Sequence, residues 1–285
     1  MGTAECLSTL LCAASSGGTT VAFLDLEKAF ELANCTVILS LLVHKGVCGK
    51  LLIWLRDFLS GRAARVALQG ETSQLHQHKN GTPPGSILSP FLFNILMEEL
   101  ISLPLPPGTK LLCYADDLAL YCTGPAHAQR AQNLLTDITT KCRELGLKLN
   151  VAKSKAMTFG CDAPRAPLYI LDTLLAWVTS HQYLGIWLDN RLNLRTHVAY
   201  LQERENSRIS VLRAITGLKG GASFQVKRTF YIHAIHFLLD YSAPCLISLT
   251  NTLHQKLEAT QNSALRVIIN APDGLRSATC SRSAR

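Results

Sequence analysis

The sequence predicts an α+β fold, a ferredoxin-like split β-α-β sheet with helices on one face, followed by an all-helical segment. The segments 21–26, 87–101, 110–115 with 118–122, 128–146 and 155–159 run in the order strand, helix, β-hairpin, helix, strand. After residue 190, charged helical patterns replace the apolar strands. We therefore expect four parts: an entry segment (1–20), a sheet domain (21–190), a basic helical domain (191–272) and a disordered tail (273–285).

Composition indicates a globular protein. The chain has 285 residues, of which 48% are hydrophobic, enough to build a core. No apolar run reaches the roughly 18–20 residues of a membrane span, and the N-terminus lacks the features of a signal peptide. We therefore expect an intracellular protein with no membrane association. The ten cysteines form no Cys-x-x-Cys pair, which favours reduced core thiols over a zinc site or a disulfide framework.

Charge is distributed unevenly along the chain. The net charge is +8, but residues 1–140 hold 9 Lys and Arg against 11 Asp and Glu, whereas residues 141–285 hold 19 against 9. This asymmetry indicates a polyanionic partner for the second half of the chain. A solvated basic surface without a partner is the alternative.

The first patterned segments are a strand and two helices. Residues 1–20 end in SSGGTT and are predicted to be a frayed entry. VAFLDL, residues 21–26, is an apolar run that predicts a buried strand ending at Asp25. Residues 36–46 and 50–61 have apolar side chains at helical spacing before a glycine, which predicts two helices.

A hairpin, a loop and a long helix follow. Residues 64–70 and 73–79 flank a Gly-Glu-Thr turn and predict a finger-like hairpin over 63–80. NGTPPGS, residues 80–86, can only be a loop, and residues 87–101 supply an apolar helix after it.

The rest of the sheet is predicted around LLCYADDLALYC, residues 111–122, which reads as strand, tight turn and strand. The turn is placed at Ala115-Asp116-Asp117. A helix with one apolar stripe is expected over 128–146, ending at Gly146, and a strand over 155–160. Three charged helices then follow, over 196–216, 224–240 and 252–270.

Two acidic positions are expected to meet in this sheet. In the ferredoxin-like order the first strand neighbours the hairpin, so Asp25 and Asp116 would face each other although they lie 91 positions apart. Clustered carboxylates raise one another's pKa unless a divalent cation neutralises them, and oxygen ligands suit Mg²⁺. Two such ions can activate a 3′-hydroxyl and stabilise a leaving pyrophosphate. An acidic turn without a ligand is the alternative, because Asp tolerates turn conformations.

Five segments together resemble the successive motifs of a reverse transcriptase of the non-LTR (LINE-like) retrotransposon type: FLDLEKAF, GTPPGSILSPFLFNILM, YADDLAL, GLKLNVAKSKAM and QYLGIWLD. The resemblance covers about residues 20–190 and implies a polymerase palm. The basic helices after it are similar to the thumb of such elements.

The resemblance implies an RNA-directed DNA polymerase, a nucleotidyltransferase that uses two Mg²⁺ ions, with Mn²⁺ as an alternative. The implied partners are an RNA template, a DNA primer or target, and deoxynucleoside triphosphates. The implied location is the nucleus or the cytoplasm, as a ribonucleoprotein.

The resemblance also implies roles in catalysis. Asp25 and Asp116 would be the metal ligands, assisted by the carbonyl of Leu26, and Asp117 would be an accessory acid. Lys153 matches the lysine proposed to protonate pyrophosphate as a general acid. A solvated surface lysine is the alternative for that position.

A nucleotide site is implied around Phe30, which matches the aromatic residue that excludes a ribose 2′-hydroxyl. Gly85 and Ser86 would let the backbone approach the nucleotide closely. An ordinary core phenylalanine and a plain loop glycine are the alternatives. The other implied nucleotide-binding positions are Pro84, Tyr114 and Ala115.

Primer and template contacts are implied in the later part of the chain. The turn resembling the one that holds the primer end consists of Tyr183, Leu184 and Gly185. The side chains expected to contact backbone phosphates are Arg204, Arg208 and Arg213. A solvated helix face is the alternative for each arginine.

Three departures from the family pattern bear on activity. Pro84 stands where the family usually has Gln, so an amide is lost and φ is fixed. Glu31 stands where many relatives have Asp. The chain begins only about 20 residues before Asp25, so we expect a fragment that lacks most of the fingers and any endonuclease, with impaired activity. The rival hypotheses are a catalytically inactive nucleic-acid-binding remnant and an unrelated α/β protein with a chance acidic turn.

Overall fold

The helices and strands of the computed structural model follow the predicted order. The structure describes residues 2–15, 17–78, 80–160, 166–217 and 221–271. The described chain divides into two units, with the boundary between Thr179 and Ser180 rather than at residue 190. The tail predicted over 273–285 lies outside the described residues. In the part of the chain that is described, no helix combines the length and the apolar character needed to cross a membrane.

The first unit contains six helices and eleven strands within its described residues. In chain order they are α1 (Thr3–Ser15), β1 (Thr19–Asp25), α2 (Ala29–Leu32), α3 (Cys35–His44), α4 (Gly49–Leu59), β2 (Arg62–Ala64), β3 (Ala67–Leu68), β4 (Glu71–Thr72), β5 (His76–His78), α5 (Leu88–Ile101), β6 (Thr109–Tyr114), β7 (Asp117–Thr123), α6 (His127–Glu144), β8 (Lys155–Phe159), β9 (Tyr169–Ile170), β10 (Thr173–Leu174) and β11 (Ala176–Trp177).

The central sheet has the order β11-β8-β1-β7-β6. The strands β8, β1, β7 and β6 are antiparallel to their neighbours, and β11 adds in parallel to β8. With α5 and α6 as the two crossovers, this is the arrangement expected of a split β-α-β fold. The predicted adjacency of the first strand and the hairpin β6-β7 is confirmed.

Helices cover both faces of this sheet. Ala22 and Leu24 of β1 face α5 and α6, and they are buried with Phe93 and Ile138 of those helices. The helix α1 packs against β6 and β7 on the opposite face. There burial, with a smaller contribution from the Cys12 thiol, raises the pKa of Tyr121.

Two expectations about the entry segment and the layers are therefore wrong. Residues 3–15 are a helix rather than a frayed entry, because Cys6, Leu7, Leu10 and Ala14 form one apolar stripe that is buried. The sheet also carries a helix on each face rather than on one face only. The predicted hairpin over 63–80 is present, with β2 paired to β5 and β3 paired to β4, and it is exposed to solvent.

The second unit is a hairpin followed by helices. Its described elements are β12 (Ser180–Tyr183), β13 (Ile186–Asp189), α7 (Arg195–Thr216), α8 (Phe224–Phe230), a π-helix (Tyr231–His236), α9 (Phe237–Leu246) and α10 (Asn251–Ile268). The helices α7 and α10 pack along each other, and β13 packs against α7. This packing explains why the hairpin belongs with the helices and not with the preceding sheet.

A buried acid lies among these helices. Glu205 of α7 is 0% exposed, and its Oε1 accepts a hydrogen bond from Gln261 Nε2 of α10 at 2.7 Å. Its Oε2 has no hydrogen-bond partner among the described residues. Burial, only partly offset by the Gln261 hydrogen bond, raises the pKa of Glu205 to about 7.

As the pH rises, the wild type should lose unfolding free energy because of Glu205. We expect Glu205→Gln to abolish that loss. The folded-state pKa of about 7 lies above the ordinary value of 4.5, so the folded protein holds this proton more tightly than the unfolded chain does. The stability that Glu205 contributes is therefore fully present below about pH 4.5 and is lost as the pH rises through 7. The loss is on the order of 3 kcal/mol.

Urea unfolding of both proteins between pH 5 and pH 8 checks this prediction. The advantage of Glu205→Gln over the wild type should grow with pH. Glu203→Gln, at an exposed position of the same helix, is the control and should show no such trend. A pH-independent difference for Glu205→Gln would contradict the prediction.

Candidate active site

Acidic residues collect where β1 and β7 end. The antiparallel register places Asp25 directly opposite Asp117, so both side chains lie on the same face of the sheet. Asp117 also pairs with Tyr114 and closes the hairpin, which leaves Ala115 and Asp116 as a two-residue turn. The structure thus brings Asp25 to this turn as predicted, but the residue across from it is Asp117 and not Asp116. Ala115 has a φ of 53°, the left-handed conformation that such a tight turn needs.

The charges of these residues interact. Partial burial, and then the negative charges of Asp116 and Asp25, raise the pKa of Asp117. Lys153 Nζ lies 3.8 Å from Asp25 Oδ2, but its side chain is 70% exposed, so this ion pair is weak. Among the residues that the structure describes, this weak contact with Asp25 is the one ion pair that the three acids form.

The donor chemistry fits a divalent cation. Carboxylate oxygens are the ligands that Mg²⁺ accepts, and the strand register brings Asp25, Asp117 and the adjoining Asp116 together at this turn. Within the described ranges, however, no three His, Cys, Asp or Glu side chains form a group that could hold a metal ion. The residues thus suit a metal in type and charge without forming a complete ligand set.

The backbone next to Asp25 is paired on its other side. Leu26 forms an isolated antiparallel bridge with Leu149, in which Glu27 N donates to Lys148 O and Asn150 N donates to Asp25 O. These two hydrogen bonds involve the backbone groups of Asp25 and Glu27, the residues on either side of Leu26. The carbonyl of Leu26, predicted to assist the metal, takes no part in this pairing.

The loop before α5 contains a tight turn at Pro84 and Gly85. Ser86 N donates to Pro83 O at 3.3 Å, and Gly85 has a φ of 78°, which together describe a type II turn. Pro84 occupies the position where that turn favours proline. A Cβ on Gly85 would meet no atom within 4 Å, so the positive φ alone accounts for the glycine.

This loop forms one wall of a cavity of about 830 Å³. Phe30 lines the same cavity and packs on Phe93, with the ring centroids 4.4 Å apart. The ring is thus partly a core side chain and partly a cavity wall.

Arg62, also in the cavity lining, was missed by sequence reasoning. Its Nη2 donates to Asn80 O at 2.9 Å and to Gly81 O at 2.5 Å, so it holds the loop to the hairpin. A single arginine just after the glycine that follows α4 gives no sequence signal for this contact.

The predicted primer and template residues all lie in the second unit. Tyr183 and Leu184 are buried, at 3% and 9% exposure, and Leu184 and Gly185 form a two-residue turn with φ values of 47° and 77°. Both values are positive, as a type I′ hairpin requires. Tyr241 Oη donates to Leu184 O at 2.8 Å and supports the turn.

The three predicted arginines of α7 differ in their surroundings. The Arg208 guanidinium donates to Ala234 O inside the unit. Arg204 lies over the Tyr200 ring at 5.3 Å, and Arg213 Nη2 donates to Ser263 Oγ at 3.2 Å. Arg204 and Arg213 are the exposed members of the set.

Known proteins resemble this chain over most of its length. The relative described as "Putative 115 kDa protein in type-1 retrotransposable element R1DM" from Drosophila melanogaster is 31% identical over 213 residues, covering 73% of this chain and 20% of the relative. "Probable RNA-directed DNA polymerase from transposon BS", also from Drosophila melanogaster, is 26% identical over 272 residues, covering 91% of this chain and 30% of the relative. The chain thus spans less than a third of the length of these curated relatives.

A solved structure gives a weaker likeness. Telomerase from Candida tropicalis, in complex with a TWJ fragment of telomeric RNA, is 10% identical with a TM-score of 0.49, covering 99% of this chain and 49% of that one. The family described as "Reverse transcriptase (RNA-dependent DNA polymerase)" matches residues 3–188, a range that includes the acids of β1 and β7, Phe30 and the loop before α5. The chain therefore belongs to the reverse transcriptase family.

Proposed function

We propose that this chain carries out RNA-templated DNA synthesis, adding deoxynucleotides to a primer 3′-hydroxyl. The observation that carries the proposal is the meeting of Asp25 and Asp117 across β1 and β7, with Asp116 in the adjoining turn. In this proposal the first unit is a polymerase palm and the second unit is a thumb.

The acids and Lys153 would perform the chemistry. Asp25 and Asp116 would hold the divalent metal with help from the Leu26 carbonyl, and Asp117 would add negative charge beside them. Bound there, two Mg²⁺ or Mn²⁺ ions would supply Lewis acidity toward the 3′-hydroxyl and the triphosphate. Lys153 places an exposed ammonium beside Asp25, where it would donate a proton to the departing pyrophosphate.

The cavity beside Phe30 would receive the nucleotide. The Phe30 ring packs on the fully buried Phe93 and therefore forms a fixed wall of the cavity. It would exclude a ribose 2′-hydroxyl by contact. The turn at Pro84, Gly85 and Ser86 borders the same space, and it would orient the base and sugar by shape. Tyr114 and Ala115, beside the acidic turn, would complete the nucleotide contacts.

The second unit would bind the primer–template duplex. Its exposed Arg204 and Arg213 would neutralise phosphates, and the turn at Leu184 and Gly185 would support the primer end. A relative's name, "Probable RNA-directed DNA polymerase from transposon BS", supports an RNA template. A place within a ribonucleoprotein, in the nucleus or the cytoplasm, is part of the same proposal.

Primer extension tests the proposal. With Mg²⁺, an RNA template and an annealed DNA primer, we expect slow incorporation of deoxynucleotides and rejection of ribonucleotides. The expected rate is low because Pro84 removes the amide side chain that the family usually offers at this position. Leaving out Mg²⁺ should stop incorporation.

A second candidate function is nucleic-acid binding without catalysis. Two observations favour it, the proline at position 84 and the incomplete ligand set among the described residues. Duplex binding that weakens steeply with salt, without any extension, would support this candidate and overturn the polymerase proposal.

A further inference from the structure

Asp25 lies where the pairing of β1 with β8 is interrupted. The ladder runs from Thr19↔Phe159 to Phe23↔Lys155 and resumes only at the isolated bridge Leu26↔Leu149. Between these two points, residues 24 and 25 of β1 thus lie opposite five residues, 150–154, that precede β8. The five residues form a bulged loop, and the backbone of Asp25 has no regular strand partner on that side.

Side-chain and backbone groups of this loop replace the missing partner. Asp25 N donates to Ser154 Oγ at 3.1 Å, and Asn150 N donates to Asp25 O at 2.8 Å. Both backbone polar groups of Asp25 are therefore held by residues 150–154. A bulge next to a functional carboxylate often serves to aim it.

The Ser154 hydroxyl both accepts and donates. It accepts from Asp25 N and donates to Asn150 O at 2.8 Å, while Ser154 N donates to the same oxygen at 3.0 Å. The residue is 1% exposed, so water has little access to replace the hydroxyl. Asn150 Oδ1 also accepts from Lys153 N at 3.3 Å, which closes the loop on itself.

The same loop carries the cation that contacts Asp25. Lys153 immediately precedes Ser154 in sequence, and its ammonium is the group 3.8 Å from the Asp25 carboxylate. One short segment thus fixes the backbone of the acid and supplies its counter-charge.

We infer that Ser154 is a positioning residue, whose hydroxyl fixes Asp25 at the angle needed to act with Asp116. The inference rests on the proposed function, in which Asp25 is a metal ligand. Residues that hydrogen-bond to a ligand group commonly matter about 10–100-fold for metal affinity or activity.

Ser154→Ala, with purified full chain, tests the inference. We expect Mn²⁺ binding to the metal-free protein, followed by water-proton relaxation, to weaken about ten-fold. In primer extension kcat should fall about 10- to 100-fold, while KM for the deoxynucleotide stays within about two-fold, because the acid and not the cavity is misplaced. Ser154→Thr keeps the hydroxyl and should recover most of the Mn²⁺ affinity.

Two further variants separate this role from a structural one. Ser242→Ala removes another buried hydroxyl, hydrogen-bonded to His197 in the second unit, and should leave Mn²⁺ binding unchanged. Asn150→Ala removes only the acceptor of Lys153 N and should weaken Mn²⁺ binding less than Ser154→Ala does. Thermal unfolding of each variant identifies any that fails to fold.

The outcomes distinguish the inference from the proposed function. If Ser154→Ala binds Mn²⁺ as the wild type does, with kcat unchanged, the positioning role is wrong and the polymerase proposal stands. If Ser154→Ala and Ser242→Ala lose Mn²⁺ affinity equally, the effect is general destabilisation and the inference is also wrong. If the wild type binds no Mn²⁺, the metal assignment fails and the inference fails with it.

Discussion

Replacing Asp116 with asparagine is expected to reduce primer extension by about 10³-fold or more. Asparagine keeps the size of the side chain and removes its charge, so the turn between β6 and β7 should be retained while the proposed metal ligand is lost. Asp25→Asn should have a similar effect. Single-turnover extension on an RNA template, at saturating Mg²⁺, measures the loss.

A readout independent of activity accompanies this prediction. The charge of Asp116 contributes to the raised pKa of Asp117, so Asp116→Asn should bring that pKa closer to its ordinary range. Carboxyl carbon NMR titration of both proteins reports the change. Its absence would show that the two acids do not interact.

The matched control is Asp57→Asn, the same change at an exposed acid of α4. It should extend primers at the wild-type rate. Extension that survives Asp116→Asn, or an equal loss in Asp57→Asn, would contradict the metal assignment.

Gly81→Ala is expected to cost about 4 kcal/mol or more of unfolding free energy. Gly81 has a φ of 85°, and a Cβ there would lie 2.5 Å from Glu31 O and 2.8 Å from Phe30 O. Both contacts are with backbone, which cannot rotate away. The loop is also held by hydrogen bonds from Gly81 N to Ala33 O and from Thr82 N to Phe30 O, so it cannot shift without breaking them.

Gly85→Ala is the comparison for this prediction. Gly85 also has a positive φ, but an added Cβ would meet nothing within 4 Å, so the cost should be only the roughly 1–2 kcal/mol of left-handed strain. Denaturant unfolding of the two variants gives the difference directly. Equal losses would show that the contact with residues 30 and 31 does not restrict the loop.

The order of the elements could be predicted from the sequence because each element shows a clear hydrophobic periodicity or a clear terminating residue. Most helix ends fall within a few residues of expectation, as for α5, expected over 87–101 and found over Leu88–Ile101. The helix α1 was missed although Cys6, Leu10 and Ala14 have helical spacing, because the glycines and serines after it suggested an irregular entry. The apolar stripe was the stronger signal.

The details of the candidate site were less predictable. Whether Asp116 or Asp117 faces Asp25 depends on a one-residue difference in the position of the turn between β6 and β7. The sequence does not reveal that position, because alanine does not typically adopt the left-handed conformation found at Ala115. Ser154 lies between two lysines, where a serine suggests a solvated linker. Its burial depends on a bulge that joins residues far apart in the sequence.

The turn at Pro84 and Gly85 also has a consequence for the unfolded chain. A proline whose native φ is already the one it prefers lowers the conformational entropy of the unfolded state, typically adding about 0.4–1 kcal/mol of stability. Compared with the Gln that the family usually has, Pro84 lacks a hydrogen-bonding amide. In return, the loop loses less conformational entropy when it folds. If the cavity beside Phe30 binds a nucleotide, as proposed, its rim would be ordered in advance, and little of the binding free energy would be consumed in shaping it.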